Sequence, residues 1–365
     1  MKPSISIIVP CFNGESFIKN TISSIKHQTF GEWECIIIDD GSKDKSKKII
    51  NDEINNDNRF HFVSQENKGL SSTRNYGINL AKGDYIFFLD SDDSMPENAL
   101  TDLFHVIESN KNIDIVVGQT LCTNGQEFKP VSHLLNEWPK NKLLHNVEDN
   151  LIEYMIEKST TCIAQNRLYR LNFLKNNDLL FYNGILHEDV LWYFETMLLA
   201  NTFFCSEKTT YYYNINNNTA ITKNIKQKNI FDYITIIEQI YEKYYLKCNN
   251  KKTKDLIGVY IIFLKIQMLE LINRCANLDK KETFDKIKTC FNKTIVERKV
   301  VKLNKKIEKK IFIFNYIINY KNEKSVFLLN FYGNRNFILK LLFKVYKFIF
   351  QNSFNKINNN YYKIA

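Results

Sequence analysis

Three carboxylates lie within four positions directly after an apolar segment of this 365-residue chain. Phe87 to Leu89 are apolar, as expected of a buried strand, and Asp90, Asp92 and Asp93 follow them. Side chains alternate along an extended segment, so Asp90 and Asp92 would point to one side. There they could share a hard divalent ion that keeps phosphate oxygens among its ligands. The alternative is a turn with a helix cap, because Ser, Asp and a nearby Pro also mark helix starts.

The elements that would position these residues alternate in type. Predicted strands are 4–9, 34–38, 60–63, 85–89 and 113–117, and the intervening segments 15–28, 43–54, 70–81 and 96–109 have helical apolar spacing. Near-continuous apolar strands that alternate with helices predict an α/β fold with a mostly parallel sheet covered on both faces. Ligands of such sheets bind outside the carboxyl ends of the strands, where the candidate residues lie.

Two common functions of such folds are disfavoured. A dinucleotide-binding dehydrogenase needs several glycines after its first strand, but the turn from Pro10 to Glu15 holds only Gly14. No GxxxxGK[ST] loop is present, which argues against the usual ATPases and GTPases.

The later part of the chain divides into three regions. Periodicity fades from 118 to about 146, which predicts loops or an irregular subdomain beside the cleft. Helical patterns return at 147–157, 168–176 and 188–200. Beyond residue 221 the chain is Lys-rich and helix-like, which predicts a separate helical module. We therefore expect a first domain over 1–220, divided at 118, and a basic helical domain over 221–365.

Charge is distributed unevenly between these two domains. Residues 221–365 hold 30 Lys and Arg against 11 Asp and Glu, whereas residues 1–220 hold 20 against 29. An acidic first domain disfavours an active site that follows a nucleic-acid backbone, and a basic tail suits an anionic surface. Neither an export signal nor a membrane-spanning run is evident, and the eight scattered cysteines suggest reduced thiols, so a cytoplasmic protein is expected.

Five polar segments fall at predicted strand ends or helix starts. They are Pro10-Cys11-Phe12-Asn13, Asp39-Asp40-Gly41-Ser42, Asn67 to Asn75, Asp90-Ser91-Asp92-Asp93 and His187-Glu188-Asp189. In this order, with Arg167 to Arg170 before the last segment and Tyr211 to Tyr213 after it, they resemble the family 2 glycosyltransferases of the GT-A fold. This large group of inverting enzymes builds bacterial capsules, lipopolysaccharides and teichoic acid decorations. The resemblance covers residues 4 to about 220.

The resemblance implies a metal-assisted donor site. Asp92 and Asp90 would bind Mn²⁺ or Mg²⁺, with Asp90 also near the ribose and Ser91 near the donor, while Asp93 would support them or cap a helix. A divalent ion on the diphosphate stabilises its departure without proton transfer. Asp40 would accept the N3 hydrogen of uracil, although a turn role remains its alternative.

The same resemblance assigns further donor contacts. Pro10, Phe12 and Glu15 would lie in the loop that cradles the nucleotide. Asn67 and Arg74 would contact the base or the diphosphate. A guanidinium fork suits phosphate oxygens, but Arg74 could instead form a structural salt bridge.

The acceptor side is implied to centre on Asp189. An inverting transfer needs a base for the acceptor hydroxyl proton, and Asp189 is the candidate. Glu188 would orient the acceptor or the base, and His187 would touch the diphosphate or the metal. The alternative is that Glu188 and Asp189 are acidic residues of a helix's first turn.

The basic tail leaves two interpretations open. From 336 to 350, Lys340, Lys344 and Lys347 form one stripe on a helix that is otherwise mostly apolar. Such a helix could lie on the inner membrane surface, near lipid-linked acceptors. It could equally pack on the catalytic domain or on a second subunit.

The predicted function is thus an inverting glycosyltransferase. We expect it to move a hexose or N-acetylhexosamine from a nucleotide sugar, a UDP-sugar first, to a glycan or lipid-linked acceptor in bacterial surface polysaccharide synthesis. A non-catalytic nucleotide-sugar-binding or assembly protein is the alternative. A processive synthase is disfavoured, since neither membrane helices nor a second catalytic domain are evident.

Overall fold

The computed structural model describes most of the chain up to residue 296. The described residues are 2–110, 112–130, 137–146, 151–157, 162–217, 225–272, 274–275 and 277–296. The basic helix predicted over 336–350 lies outside them. So do parts of the region predicted as irregular over 118–146, of the helix predicted over 147–157 and of the domain predicted over 221–365.

Nine strands in the described residues form one mixed sheet. They are β1 (Ile5–Cys11), β2 (Trp33–Asp39), β3 (Phe60–Ser64), β4 (Tyr85–Phe88), β5 (Ile115–Thr123), β6 (Phe128–Lys129), β7 (Leu143–His145), β8 (Arg167–Arg170) and β9 (Thr202–Asn214). The order is β3-β2-β1-β4-β8-β5-β9-β7, with β6 paired to β5. Strands β3, β2, β1 and β4 are parallel, β8 is antiparallel to both of its neighbours, and β5 and β9 are parallel. The predicted α/β class with a mostly parallel sheet is confirmed.

Ten α-helices accompany the strands in the described residues. They are α1 (Ile18–Lys26), α2 (Ser46–Ile54), α3 (Leu70–Leu80), α4 (Ala99–Ser109), α5 (Leu151–Glu157), α6 (Leu171–Asn176), α7 (Glu188–Leu199), α8 (Gln227–Ile240), α9 (Lys251–Ile272) and α10 (Lys280–Lys293). A π-helical turn, Tyr241–Tyr245, follows α8. None of these helices combines the length and apolarity that a membrane span would require.

The sheet is covered on both faces because its central strands are apolar throughout. Every residue of β1 and β2 is buried. Ile7 and Val9 pack into one core with helices α1 and α4, whereas Ile8 packs into the other core with α3 and α7. This alternation follows from the two-residue repeat of a strand. Because β1 to β4 are parallel, their carboxyl ends lie at one edge of the sheet.

Two segments differ from the predicted elements. Arg167–Arg170 form β8 where a helix was predicted to begin, because Leu168 and Tyr169 pair between β4 and β5 in the sheet. Strand β5 continues through Gly118 to Thr123 with register shifts against β9, although the periodicity of the sequence fades there. A bulge interrupts the two-residue repeat and hides such a strand from pattern analysis.

The helices after residue 225 pack on the first domain. Residues of α8 and α9 belong to the same buried cluster as Trp192 and Phe194 of α7. The rings of Phe194 and Tyr260 stack with centroids 5.0 Å apart. The division at residue 221 remains a prediction, but the two sides of it share one hydrophobic core.

Gly77 allows α3 to approach the sheet closely. A Cβ atom at this position would lie 2.4 Å from Cγ2 of Ile8 on β1. Real side chains do not come this near to one another, so a larger residue requires α3 or the Ile8 side chain to shift. The close approach matters because α3 also carries Arg74.

Candidate active site

The acidic cluster lies just beyond the carboxyl end of β4. One oxygen from each of Asp90, Asp92 and Asp93 can be chosen so that all lie within 4.8 Å of one another. Strand β4 pairs with β1 and β8, so the loops after β1 and before β8 meet the cluster at this edge. The carboxylates predicted from sequence are therefore brought together.

Asp93 points into the protein. Its Oδ2 accepts a hydrogen bond from the Tyr211 hydroxyl at 2.6 Å, and its Oδ1 accepts one from the backbone N–H of Asn214 at 2.8 Å. Burial, followed by the charges of Asp92 and Asp90, raises the pKa of Asp93 well above its usual range. These contacts tie the acidic loop to β9, which agrees with the supporting role expected for Asp93.

Asp90 and Asp92 are the more accessible pair. The Asp90 carboxylate accepts from Arg74 at 2.9 Å and from the side-chain amide of Gln165. Asp92 accepts from the Asn217 amide at 2.7 Å. Burial and the charge of Asp90 raise the pKa of Asp92, so a cation there would relieve a real repulsion. Adjacent hard oxygens of this kind fit Mg²⁺ or Mn²⁺.

Arg74 joins the acidic cluster to the first residue of α7. Its Nη2 donates to Asp90 at 2.9 Å and its Nη1 donates to Glu188 at 2.7 Å, while its side chain is 1% exposed. Burial opposes the charge, but Asp90 and Glu188 raise the pKa of the guanidinium overall. The contact of Arg74 with the base or the diphosphate stays a prediction. The side chain makes the structural salt bridges that the sequence left as its alternative, because two carboxylates hold both of its terminal nitrogens.

Asp189 follows Glu188 in the first turn of α7 and faces the same group of charges. Burial and then the charge of Glu188 raise its pKa, Arg74 lowers it, and Asp90 raises it further. The net pKa is well above the usual range of an aspartate. A carboxyl group with a pKa near the operating pH is suited to accept a proton during a reaction.

The ring of His187 contacts helix α8. Its backbone is left-handed, with φ of 62°, at the residue before α7. Its Nε2 accepts from the Asn229 amide at 3.0 Å, and its ring packs on Tyr233 with centroids 5.1 Å apart. Helix α8 therefore holds the ring, and the contact of His187 with diphosphate or metal stays a prediction.

Asp40 anchors the loop that precedes α3. Its carboxylate accepts from the Gln65 amide at 2.8 Å and from the backbone N–H groups of Lys68 and Gly69 at 2.8 and 2.9 Å. A carboxylate offers about four acceptor sites, so one remains for another donor. Asp39, rather than Asp40, accepts from the backbone of the Asp-Gly-Ser turn.

The remaining predicted donor contacts line the loops around β1 and β4. Pro10 is buried in β1, whereas Phe12 leaves the strand with 51% of its side chain exposed. Glu15 accepts from the backbone N–H of Lys45 at 2.9 Å and so holds the start of α2. Asn67 is exposed in the loop beside Asp40, and Ser91 is partly exposed next to Asp90.

Sequence reasoning missed the amides that hold the acidic cluster. Gln165 precedes β8 and bonds Asp90, and Asn217 follows β9 and bonds Asp92. A single amide carries no sequence signal, and Asn217 lies in an Asn-rich run whose composition looks biased. Tyr211, which holds Asp93, belongs to the Tyr211 to Tyr213 segment that contributed to the resemblance.

Known proteins share this sequence pattern and this fold. The family model described as glycosyl transferase family 2 matches residues 6–176. A glycosyltransferase of Haemophilus influenzae is 32% identical over 188 residues, which cover 51% of this chain and 73% of that protein. TarP of Staphylococcus aureus, a poly(ribitol-phosphate) beta-N-acetylglucosaminyltransferase, is 28% identical over 274 residues, or 70% of this chain and 77% of TarP.

The structural comparison agrees in fold. The crystal structure of S. aureus TarS 1–349 in complex with UDP-GlcNAc has a TM-score of 0.66 at 18% identity, covering 90% of this chain and 89% of that one. The chain spans only 30% to 65% of several other curated relatives. The acidic residues after β4, the acidic start of α7 and the matched sequence agree: the chain belongs to glycosyl transferase family 2.

Proposed function

We propose that this protein is an inverting glycosyltransferase that moves a sugar from a UDP-sugar to a glycan or lipid-linked acceptor of a bacterial surface polymer. The observation that carries the proposal is the double salt bridge of Arg74. One buried guanidinium connects Asp90, in the group suited to a cation, with Glu188, which adjoins the candidate base. The buried side chain of Arg74 would thus connect the donor and acceptor halves of the site.

The donor half of the proposed site is acidic. Asp92 and Asp90 would hold Mn²⁺ or Mg²⁺, and Gln165 and Asn217 fix the orientation of the two carboxylates. When bound, the ion would supply positive charge for the departing diphosphate. Asp40 would use its remaining acceptor site for the N3 hydrogen of uracil, while Asn67 and the exposed ring of Phe12 would border the base.

The acceptor half depends on Asp189. We assign it the role of general base, which takes the proton from the acceptor hydroxyl as that oxygen attacks the anomeric carbon. Glu188 would be held by Arg74 and would keep the start of α7 in place. The raised pKa of Asp189 supports its assignment as the base, since a base must hold the transferred proton.

The relatives suggest which donor to test first. TarS is described in complex with UDP-GlcNAc, and TarP is named as a beta-N-acetylglucosaminyltransferase. We therefore choose UDP-GlcNAc as the first candidate, followed by other UDP-hexoses. A phosphate-rich polyol polymer is the first acceptor class, by the name of TarP alone.

A donor screen tests the proposal. Thermal shift and donor hydrolysis are measured with UDP-, GDP- and CMP-sugars, each with Mn²⁺, Mg²⁺ or a chelator. A bound donor at about 100 times its Kd should stabilise the fold by about 2.7 kcal/mol through mass action. Stabilisation by one UDP-sugar, dependent on the metal and accompanied by turnover, supports the proposal.

The same screen separates the alternative class. A non-catalytic binding protein would be stabilised by the donor but would release no free UDP, with or without an acceptor. Absence of both binding and turnover across the panel would reject the glycosyltransferase proposal itself. The matched variant is Asp189→Asn, which should bind the donor and fail to transfer.

A further inference from the structure

The loop that leads into α7 is held by the first turns of α8. Lys228 donates through Nζ to the backbone carbonyl of Gly184 at 2.9 Å. Asp232 accepts from the backbone N–H of Leu186 through Oδ2 at 2.8 Å. Two attachment points to α8 thus fall within the few residues before Glu188 and Asp189.

His187 is the third attachment point. The Asn229 amide donates to its Nε2 at 3.0 Å, and Tyr233 packs against its ring. The amide orientation is fixed because Oδ1 of Asn229 accepts from the backbone N–H of Lys226 at 2.8 Å, which leaves Nδ2 facing the imidazole. A ring nitrogen that accepts must be unprotonated, and burial lowers the pKa of His187 accordingly.

These contacts come from one face of α8. Lys228, Asn229, Asp232 and Tyr233 are spaced so that they lie together on consecutive turns. Asn229 is 1% exposed and Asp232 is 6% exposed, so their hydrogen bonds are protected from water. A second pair of bonds from Lys228 to Asp232, at 2.8 and 2.9 Å, braces this face. We call these four residues the α8 clamp.

We propose that the α8 clamp positions the general base, so that a helix from beyond the acidic first domain determines the placement of Asp189. This inference rests on the proposed function for the role of Asp189. Asn229 and Asp232 are positioning residues, since they touch the loop and not the substrates. The left-handed backbone of His187 sets the direction in which α7 begins, and a left-handed conformation is maintained in a non-glycine residue only when its surroundings fix it.

Hydrogen exchange tests the clamp without any substrate. In Asn229→Ala and Asp232→Ala, peptides covering residues 184–190 should exchange faster than in the wild-type protein, while peptides of β1 to β4 keep their rates. Glu238→Gln is the matched control on the same helix, because Glu238 pairs with Lys293 of α10 at 3.7 Å and not with the loop. Wild-type exchange at 184–190 in both alanine variants would overturn the clamp.

Steady-state kinetics test whether the α8 clamp positions Asp189. Both alanine variants should lose about 10- to 100-fold in kcat, since a small misplacement of a reacting group has effects of this size. Donor KM should change little, because the hydrogen bonds that hold Asp40, Asp90 and Asp92 come from residues outside α8. Asp232→Asn keeps an acceptor for Leu186 and should recover most of the loss of Asp232→Ala, and Glu238→Gln should retain wild-type kcat.

Each remaining outcome has a distinct meaning. Faster exchange at 184–190 with unchanged kcat would overturn the positioning role. A general loss of folding would instead raise exchange throughout the sheet and would not be rescued selectively by Asp232→Asn. If the wild-type protein turns over no donor, the proposed function fails, and the exchange result alone decides whether the clamp holds the loop.

Discussion

Replacing Arg74 by methionine should strongly destabilise the protein. The guanidinium is 1% exposed and pairs with Glu188 at 2.7 Å and Asp90 at 2.9 Å. Removing one partner of a buried ion pair typically costs about 3–5 kcal/mol, because the opposite charge is left without compensation. Two carboxylates lose their partner here, and Asp189 loses a positive charge that lowers its pKa. We therefore expect a loss at the upper end of that range.

Urea unfolding of three variants measures this effect. Arg74→Lys keeps the charge, but a single ammonium cannot reproduce the fork that reaches both carboxylates, so an intermediate loss is expected. Lys19→Met is the control: it removes the surface ion pair between Lys19 and Glu53, at 2.8 Å, and should leave the midpoint unchanged. An Arg74→Met protein that unfolds at the wild-type urea concentration would refute the stabilising role of the double bridge.

The destabilisation should also depend on pH. Arg74 lowers the pKa of Asp189, so the folded Arg74→Met protein binds that proton more tightly than the folded wild-type protein does. Stability falls with rising pH wherever the folded state binds more protons than the unfolded state. The difference between the two proteins should therefore be larger at about pH 9 than at about pH 7.

Four further predictions concern the site and its supports. Asp189→Asn should lower kcat by about 10²- to 10⁴-fold while the donor Kd, measured by calorimetry, stays constant. In the wild-type protein kcat should rise with pH through the raised pKa of Asp189, near 8, because only the carboxylate accepts the proton; a flat profile across this range would contradict the assignment. Tyr211→Phe should destabilise by about 1–3 kcal/mol in urea unfolding, since Asp93 loses a buried donor. Gly77→Ala should destabilise by about 1–3 kcal/mol through the clash with Ile8, and a stabilised variant would show that α3 can shift without loss.

The architecture was predictable because the strands that define it are buried on both faces. In β1 and β2 every residue is buried, so the sequence shows continuous apolar runs that periodicity analysis recognises. The acidic residues after β4 were predictable for the same reason, since they follow directly on such a run. Because these strands are parallel, their carboxyl ends meet at the same edge of the sheet, and this follows from the fold class alone.

The contacts of Arg74 and His187 were less predictable because they depend on distant segments. Arg74 meets Glu188 across 114 positions in the sequence, and His187 meets Asn229 across 42. The sequence identifies Arg74 as a hydrogen-bond donor and His187 as a possible donor or acceptor, but it does not identify the partner of either side chain. The position of β8 between β4 and β5 was also difficult to predict, because the strand Arg167–Arg170 is short and directly precedes a helix.

Arg74 and the α8 clamp support the same part of the proposed site. Burial, and then repulsion between neighbouring carboxylates, raises the pKa values of Asp92 and Asp189. Such a group folds only if fixed positive charge and fixed geometry offset the repulsion before any ligand arrives. Arg74 supplies the charge from α3, whose position depends on Gly77, and the α8 clamp supplies the geometry from the C-terminal side. Arg74→Met combined with Asn229→Ala should lower kcat by more than the product of the two single effects, because each change removes the support on which the other depends.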